Sequence, residues 1–225
     1  MYVTPERLEK AEALEALKAA GVSLVVVDEA HCISQWGHDF RTAYMFLKEA
    51  RKALGNPPVM ALTATATPEV LGDIRAQLGM KDAEVVSTGI ERLGLFFEVH
   101  RTVNEAVKYA RLLALLREEA GAAIVYTSTV REVEALAERL RGEGVEVARS
   151  HGRLRTGERQ EAQRQFMEGG CRVMLATKAF GMGIDEANIR CVIHWSFPDS
   201  VESYYQEAGR AGRDGEKARA SLGRG

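Results

Sequence analysis

The chain has 225 residues, 46% hydrophobic and 28% charged, and its 30 basic and 32 acidic side chains leave a net charge of −2. That length predicts one to two domains, able to bury roughly 70% of the unfolded surface without staples. The composition excludes a disordered, collagenous or coiled-coil chain, and the charge balance gives no bulk signal for nucleic acid or membrane, leaving only a local basic face open.

Thr4-Pro5 predicts a helix start, and Leu8, Leu14 and Leu17 follow at roughly helical spacing up to Gly21. VSLVVVD (22–28) is a Val-rich apolar run, the pattern of a strand buried on both faces of a parallel sheet. A helix is expected at about 42–54, a strand at 59–63, a helix from Pro68 and a strand at 84–88. A boundary is placed near residue 90. Beyond it, strands are expected at 95–100, 122–127, 145–149, 172–177 and 191–195. Helices at 103–119, 130–141, 156–168 and 200–210 alternate with them. Such alternation predicts parallel sheets covered by helices.

Three cysteines, Cys32, Cys171 and Cys191, are scattered with no Cys-x-x-Cys spacing. This argues against a disulfide framework or a zinc site and fits a reducing, cytoplasmic setting. No apolar run approaches the ~18 residues of a membrane span, and MYVTPERLEK (1–10) is neither a leader nor an anchor.

The chemistry concentrates in VVVDEAH (25–31). A buried parallel strand ending in Asp28-Glu29 places two carboxylates at the C-terminal sheet edge, where open α/β sheets bind ligands. Asp28 suits Mg²⁺, held through water, and Glu29 suits an attacking water that must be oriented and deprotonated. In the loop that follows, Trp36, Phe40 and Arg41 offer a stacking surface and a cation for splayed bases. Arg210 and Arg213 are three apart and would share one helix face, aimed at a phosphate. Ser128 and Thr177, at strand ends, and Arg153, in a loop, are candidate donors to phosphates.

The run DEAHCISQWGHDFR (28–41) resembles the RecQ family of superfamily 2 DNA helicases. Five further blocks resemble that family's motifs in the right order: YVTPERL (2–8), ALTATAT (61–67), IVYTSTVREVEALAERL (124–140), VMLATKAFGMGID (173–185) and SYYQEAGRAGRDG (203–215). The resemblance implies an α/β fold of tandem RecA-like lobes with parallel sheets covered by helices. Residues 1–90 would form an incomplete first lobe, and 91–225 the second. It implies ATP and Mg²⁺ as cofactors and 3′-to-5′ unwinding of DNA in repair and recombination. The partners would be single-stranded and forked duplex DNA.

By the same resemblance Arg213 is the arginine finger, Arg210 its neighbour at the phosphate, and Gln206 part of the same cleft. Fingers of this kind contribute roughly 10³–10⁵ in rate. Gly183 and Asp185 would approach the nucleotide, Asp185 at the ribose. Arg7 falls in the first motif, and Gln35, Trp36 and His38 would couple DNA binding to hydrolysis. Thr63 and Thr65 would bridge to the phosphate site.

The chain has no Gly-Lys dipeptide, so no G-x-x-x-x-G-K-[ST] phosphate loop. A truncated motor is therefore expected, monomeric when intact, but inactive and aggregation-prone as this fragment, with its final strand cut short. Only Arg92 in 88–99 matches the family's linker pattern. Two rival readings remain: a non-catalytic DNA-binding or interaction module, and a superfamily 2 RNA helicase, against which the aromatic loop argues.

Overall fold

The computed structural model describes all residues except 37–39, 65, 81, 88, 90, 179, 181–187 and 225, and describes 224 by its backbone alone. The chain divides into two compact units, Met1–Gly89 and Ile90–Gly225.

In the first unit the expected opening helix is two: α1 (Pro5–Leu8) and α2 (Ala11–Ala20). Gly21, at φ 73°, ends the second, a conformation that favours glycine. Strands β1 (Val25–Val27) and β2 (Val59–Ala61) pair in parallel, Val26 opposite Met60. The expected helix at 42–54 begins as a 3₁₀ turn, Thr42–Phe46, and becomes α3 at Leu47–Ala53. α4 (Pro68–Leu78) is capped by the Thr67 side chain, which accepts the Val70 amide at 3.4 Å.

One face of the β-pair packs on Leu8, Ile33, Leu47, Val70, Ile74 and Leu78. The other does not match the expectation of a strand buried on both sides: Val26 is 51% and Met60 50% exposed, and Leu24 and Leu62 flank them in the open. An apolar run alone cannot distinguish a two-sided core from one face left uncovered. Nor do residues 84–87 form the expected strand. They lie in irregular backbone with Val85 and Val86 exposed, and among the described residues no third strand joins β1 and β2.

The second unit holds a six-stranded sheet: β3 (Leu95–Arg101), β4 (Ala122–Thr127), β5 (Ala148–Ser150), β6 (Val173–Thr177), β7 (Ile189–His194) and β8 (Ala218–Arg224), in the order β3-β8-β7-β4-β6-β5. Every pairing is parallel. The final strand, expected to be cut short, forms over Ala218–Arg224 and is what joins β3 to the sheet.

Alternation along β4 shows how both faces are filled. Ala123 and Val125 point toward α5 (Glu105–Glu118) and α6 (Val130–Gly142), meeting Leu112, Leu116, Val133 and Leu136. Ile124 and Tyr126 point toward α7 (Thr156–Met167) and α8 (Val201–Ala208), meeting Phe166 and Ala208. α5 is capped by Asn104, which accepts the Val107 amide at 2.9 Å. A reciprocal Thr129–Glu132 capping box starts α6.

Candidate nucleotide and nucleic-acid edges

In the first unit β1 delivers Asp28 and Glu29 to its C-terminal edge. Asp28 is exposed, and its Oδ1 accepts the Glu29 amide at 2.9 Å. Glu29 has φ 49°, a left-handed conformation that is costly for a residue with a Cβ and a mark of functional turns. Its Oε2 lies 3.3 Å from Nδ1 of the buried His31, which is also 3.1 Å from Thr63 Oγ1. His31 thus ties the carboxylate turn to the end of β2. Beneath them the Tyr44 hydroxyl donates to the Asp28 carbonyl at 3.2 Å. Burial raises its pKa, and the Cys32, Glu29 and Asp28 charges add to that.

The loop after the 3₁₀ turn Ala30–Ile33 is pinned at both ends. The Arg41 amide donates to the Cys32 carbonyl at 2.9 Å, and Ser34 Oγ donates to Asp73 Oδ2 at 2.5 Å. Between them Gln35 is exposed and Trp36 is 81% exposed, so Trp36 is not core. Phe40 and Arg41 are half-buried, and Arg7 is exposed on α1. His38 and Thr65 lie outside the described residues.

In the second unit the sequence-predicted residues divide between opposite edges of one sheet. Ser128, Arg153 and Thr177 follow or close β4, β5 and β6 at the C-terminal edge. Arg210 and Arg213 lie in the turn that enters β8, and the Gly212 amide donates to the carbonyl of Ile189, the first residue of β7, at 2.9 Å. That is the N-terminal edge.

The shared helix face expected for the two arginines is also corrected. α8 ends at Ala208, both lie in the turns beyond it, and Arg210 is buried at 9% exposure while Arg213 is exposed. Gly209 ends α8 and Gly212, at φ 64°, cannot continue it; a Cβ there would lie 2.8 Å from the Glu216 carbonyl oxygen. Gln206 is half-buried on α8. Gly183 and Asp185 lie outside the described residues.

Arg210 sits against the Tyr126 hydroxyl, whose pKa is driven up by burial and opposed by the Arg210 charge. The hydroxyl donates to the Phe180 carbonyl at 3.1 Å. Nearby, buried His194 places Nε2 2.8 Å from Glu207 Oε2.

Two arginines hold this turn that its own motif does not reveal. Arg92 donates to the carbonyls of Gly209 at 3.0 Å, Ala211 at 3.2 Å and Gly212 at 2.7 Å. Arg190 pairs with Asp214. Arg92 was visible as a lone match in a divergent stretch. Arg190 carried no signal, because its partner lies 24 residues away. Of the seven arginines of 139–165, three are ion-paired within the unit: Arg139 to Glu105, Arg149 to Glu134, and Arg164 to Glu161 and Glu168. Arg153 and Arg155 are exposed.

Among the described residues no group of three His, Cys, Asp or Glu could hold a metal. Mg²⁺ needs only one or two carboxylates when phosphates and water complete its shell, so the exposed Asp28 fits that ion.

Two units built on parallel strands covered by helices define a RecA-like α/β fold. Residues 1–74 match the DEAD/DEAH box helicase model, and 107–215 the helicase conserved C-terminal domain. The structure is similar to the Mycobacterium smegmatis helicase Lhr bound to ssDNA and AMP-PNP (TM-score 0.77, 25% identity, 98% of this chain and 31% of that one). It is also similar to S. cerevisiae Dbp5 bound to RNA and ADP BeF3 (TM-score 0.74, 23% identity, 93% and 56%).

By sequence the chain is 49% identical to the ATP-dependent DNA helicase RecQ of Bacillus subtilis over 95% of its own length, and 42% identical to that organism's probable ATP-dependent DNA helicase RecS over 96%. The chain belongs to the RecQ family of superfamily 2 helicases. It spans 36% and 44% of the length of those two relatives.

Proposed function

We propose that this chain is part of an ATP-driven 3′-to-5′ DNA helicase that opens forked duplexes during repair and recombination. The carrying observation is the segregation of chemistry in the second unit. Hydroxyl and cationic donors occupy one sheet edge, and the Arg210–Arg213 turn the other. Ser128, Thr177 and Arg153 hold DNA phosphates without reading sequence. Trp36, with Gln35, His38, Phe40, Arg41 and Arg7, meets the strand from the first unit.

Asp28 holds Mg²⁺ through water, and that ion, when bound, neutralises charge on the phosphates. Glu29 takes the proton of the attacking water, kept in place by His31 and Thr63. Arg213 stabilises charge developing at the γ-phosphate, with Arg210 and Gln206 behind it. Gly183 and Asp185 would line the nucleotide. No Gly-Lys dipeptide is present to cradle phosphates, so this chain on its own does not turn over ATP. The intact motor works as a monomer in the cytoplasm, a reducing setting that suits three buried free thiols.

DNA is preferred over RNA because three relatives, at 49%, 42% and 38% identity, carry DNA-helicase names, whereas the RNA-bound neighbour, at 23% identity, shares the fold alone. Fluorescence anisotropy on single-stranded DNA and RNA across a salt series tests this. Binding that favours DNA and weakens with salt is expected. Tighter RNA binding, or no DNA binding at low salt, refutes it.

A further inference from the structure

Phe197 follows β7 directly at the C-terminal edge and is 58% exposed, although Trp195, two residues earlier, is buried. A single exposed apolar residue is ordinary on a protein surface. Phe197 differs because its segment is tied down on both sides. Ser196 Oγ donates to Glu132 Oε1 at 2.9 Å, and Glu132 is the capping residue of α6, just past Ser128 and Thr129. Two residues after Phe197, Asp199 accepts from Lys178 Nζ at 2.9 Å, and Lys178 follows Thr177 at the end of β6. In the sheet β7 lies beside β4, and β4 beside β6. The 196–199 segment therefore reaches across the strand ends that carry Ser128 and Thr177.

Those two hydroxyls suit phosphates, and neither offers a face on which a base could stack. An aromatic ring held open to solvent in their midst has the complementary property: it offers nothing to a phosphate and a face to any base. The Lys178–Asp199 pair neutralises its own cation, so the ring does not serve as part of a basic patch.

We propose that Phe197 is a base-stacking residue of the second unit, taking an unpaired base of single-stranded DNA without sequence preference. This assignment rests on the reading of this edge as DNA-binding. The two anchors hold the backbone on either side of Phe197 before the strand arrives, so stacking costs less loop ordering.

The test is fluorescence anisotropy of the 225-residue chain on a short oligo-dT and on an abasic oligonucleotide of equal length. Phe197→Ala is expected to weaken oligo-dT binding about tenfold and to leave abasic binding unchanged. Phe197→Tyr should restore the affinity, and Phe197→Leu, apolar without a ring face, should not. Unchanged oligo-dT affinity in Phe197→Ala, an equal loss on the abasic strand, or full affinity in Phe197→Leu would overturn the assignment while leaving the edge DNA-binding. A wild-type chain that binds neither strand overturns the DNA-binding reading, and the assignment with it.

Discussion

Arg92→Ala should destabilise the second unit far more than an ordinary half-exposed arginine. The guanidinium donates to three backbone carbonyls at 2.7–3.2 Å, all in the turn that carries Arg210 and Arg213. Hydrogen bonds from a charged donor contribute about 1.5–3 kcal/mol each. These three share one half-exposed side chain and do not add, so the combined loss is about 3 kcal/mol. For a unit of this size that lowers Tm by roughly 10 °C. Of the two tryptophans, Trp195 is buried in the second unit and Trp36 exposed in the first. Urea titration followed by Trp195 fluorescence in a Trp36→Phe background therefore isolates the relevant transition. Arg92→Lys, which keeps the charge and loses the planar fork, should fall between. A change within 0.5 kcal/mol of wild type, the range of an ordinary surface substitution, would refute the clamp.

Glu134 supplies an acid-sensitive contribution. Burial pushes its carboxyl up, but hydrogen bonds from His151 and Arg149 outweigh that and hold it below the ordinary value. Its stabilisation is therefore complete above about pH 4.3 and is lost as pH falls through the lowered pKa. Glu134→Gln should flatten that acid limb in pH-dependent urea titrations, and an unaltered slope contradicts the pairing. Gly212→Ala, facing both φ 64° and the Glu216 carbonyl, should cost about 2 kcal/mol or more, whereas Gly142→Ala, which meets nothing within 4 Å, should not destabilise; calorimetry on the two separates them. Val26→Lys with Met60→Lys places charge on the uncovered face of the first β-pair and should reduce self-association in sedimentation velocity. An unchanged sedimentation profile places the sticky surface elsewhere.

The second unit was largely legible because its central strands β4, β6 and β7 are buried on both faces and its helix starts carry local signals, Asn104 and Thr129 among them. The first unit was less so. An unbroken run such as VVVD fixes a strand but not how many neighbours cover it, which is why Val26 was misplaced. Asp28, Glu29 and Trp36 were readable from local composition, and the structure agrees that Gln35 and Trp36 are exposed. The arginine turn was identified by motif but misread as helix, because Gly209 and Gly212 in Gly-Arg-Ala-Gly-Arg end α8 before either side chain can share a face. The contacts that hold the turn join Arg92 to residues 117–120 positions away, and no local pattern encodes them.

The most direct measurement is the DNA-stimulated ATPase rate of the 225-residue chain, set beside its Glu29→Gln variant. With no Gly-Lys phosphate loop, the two should be indistinguishable at saturating single-stranded DNA. Turnover comparable to an intact motor, abolished by Glu29→Gln, would contradict the account.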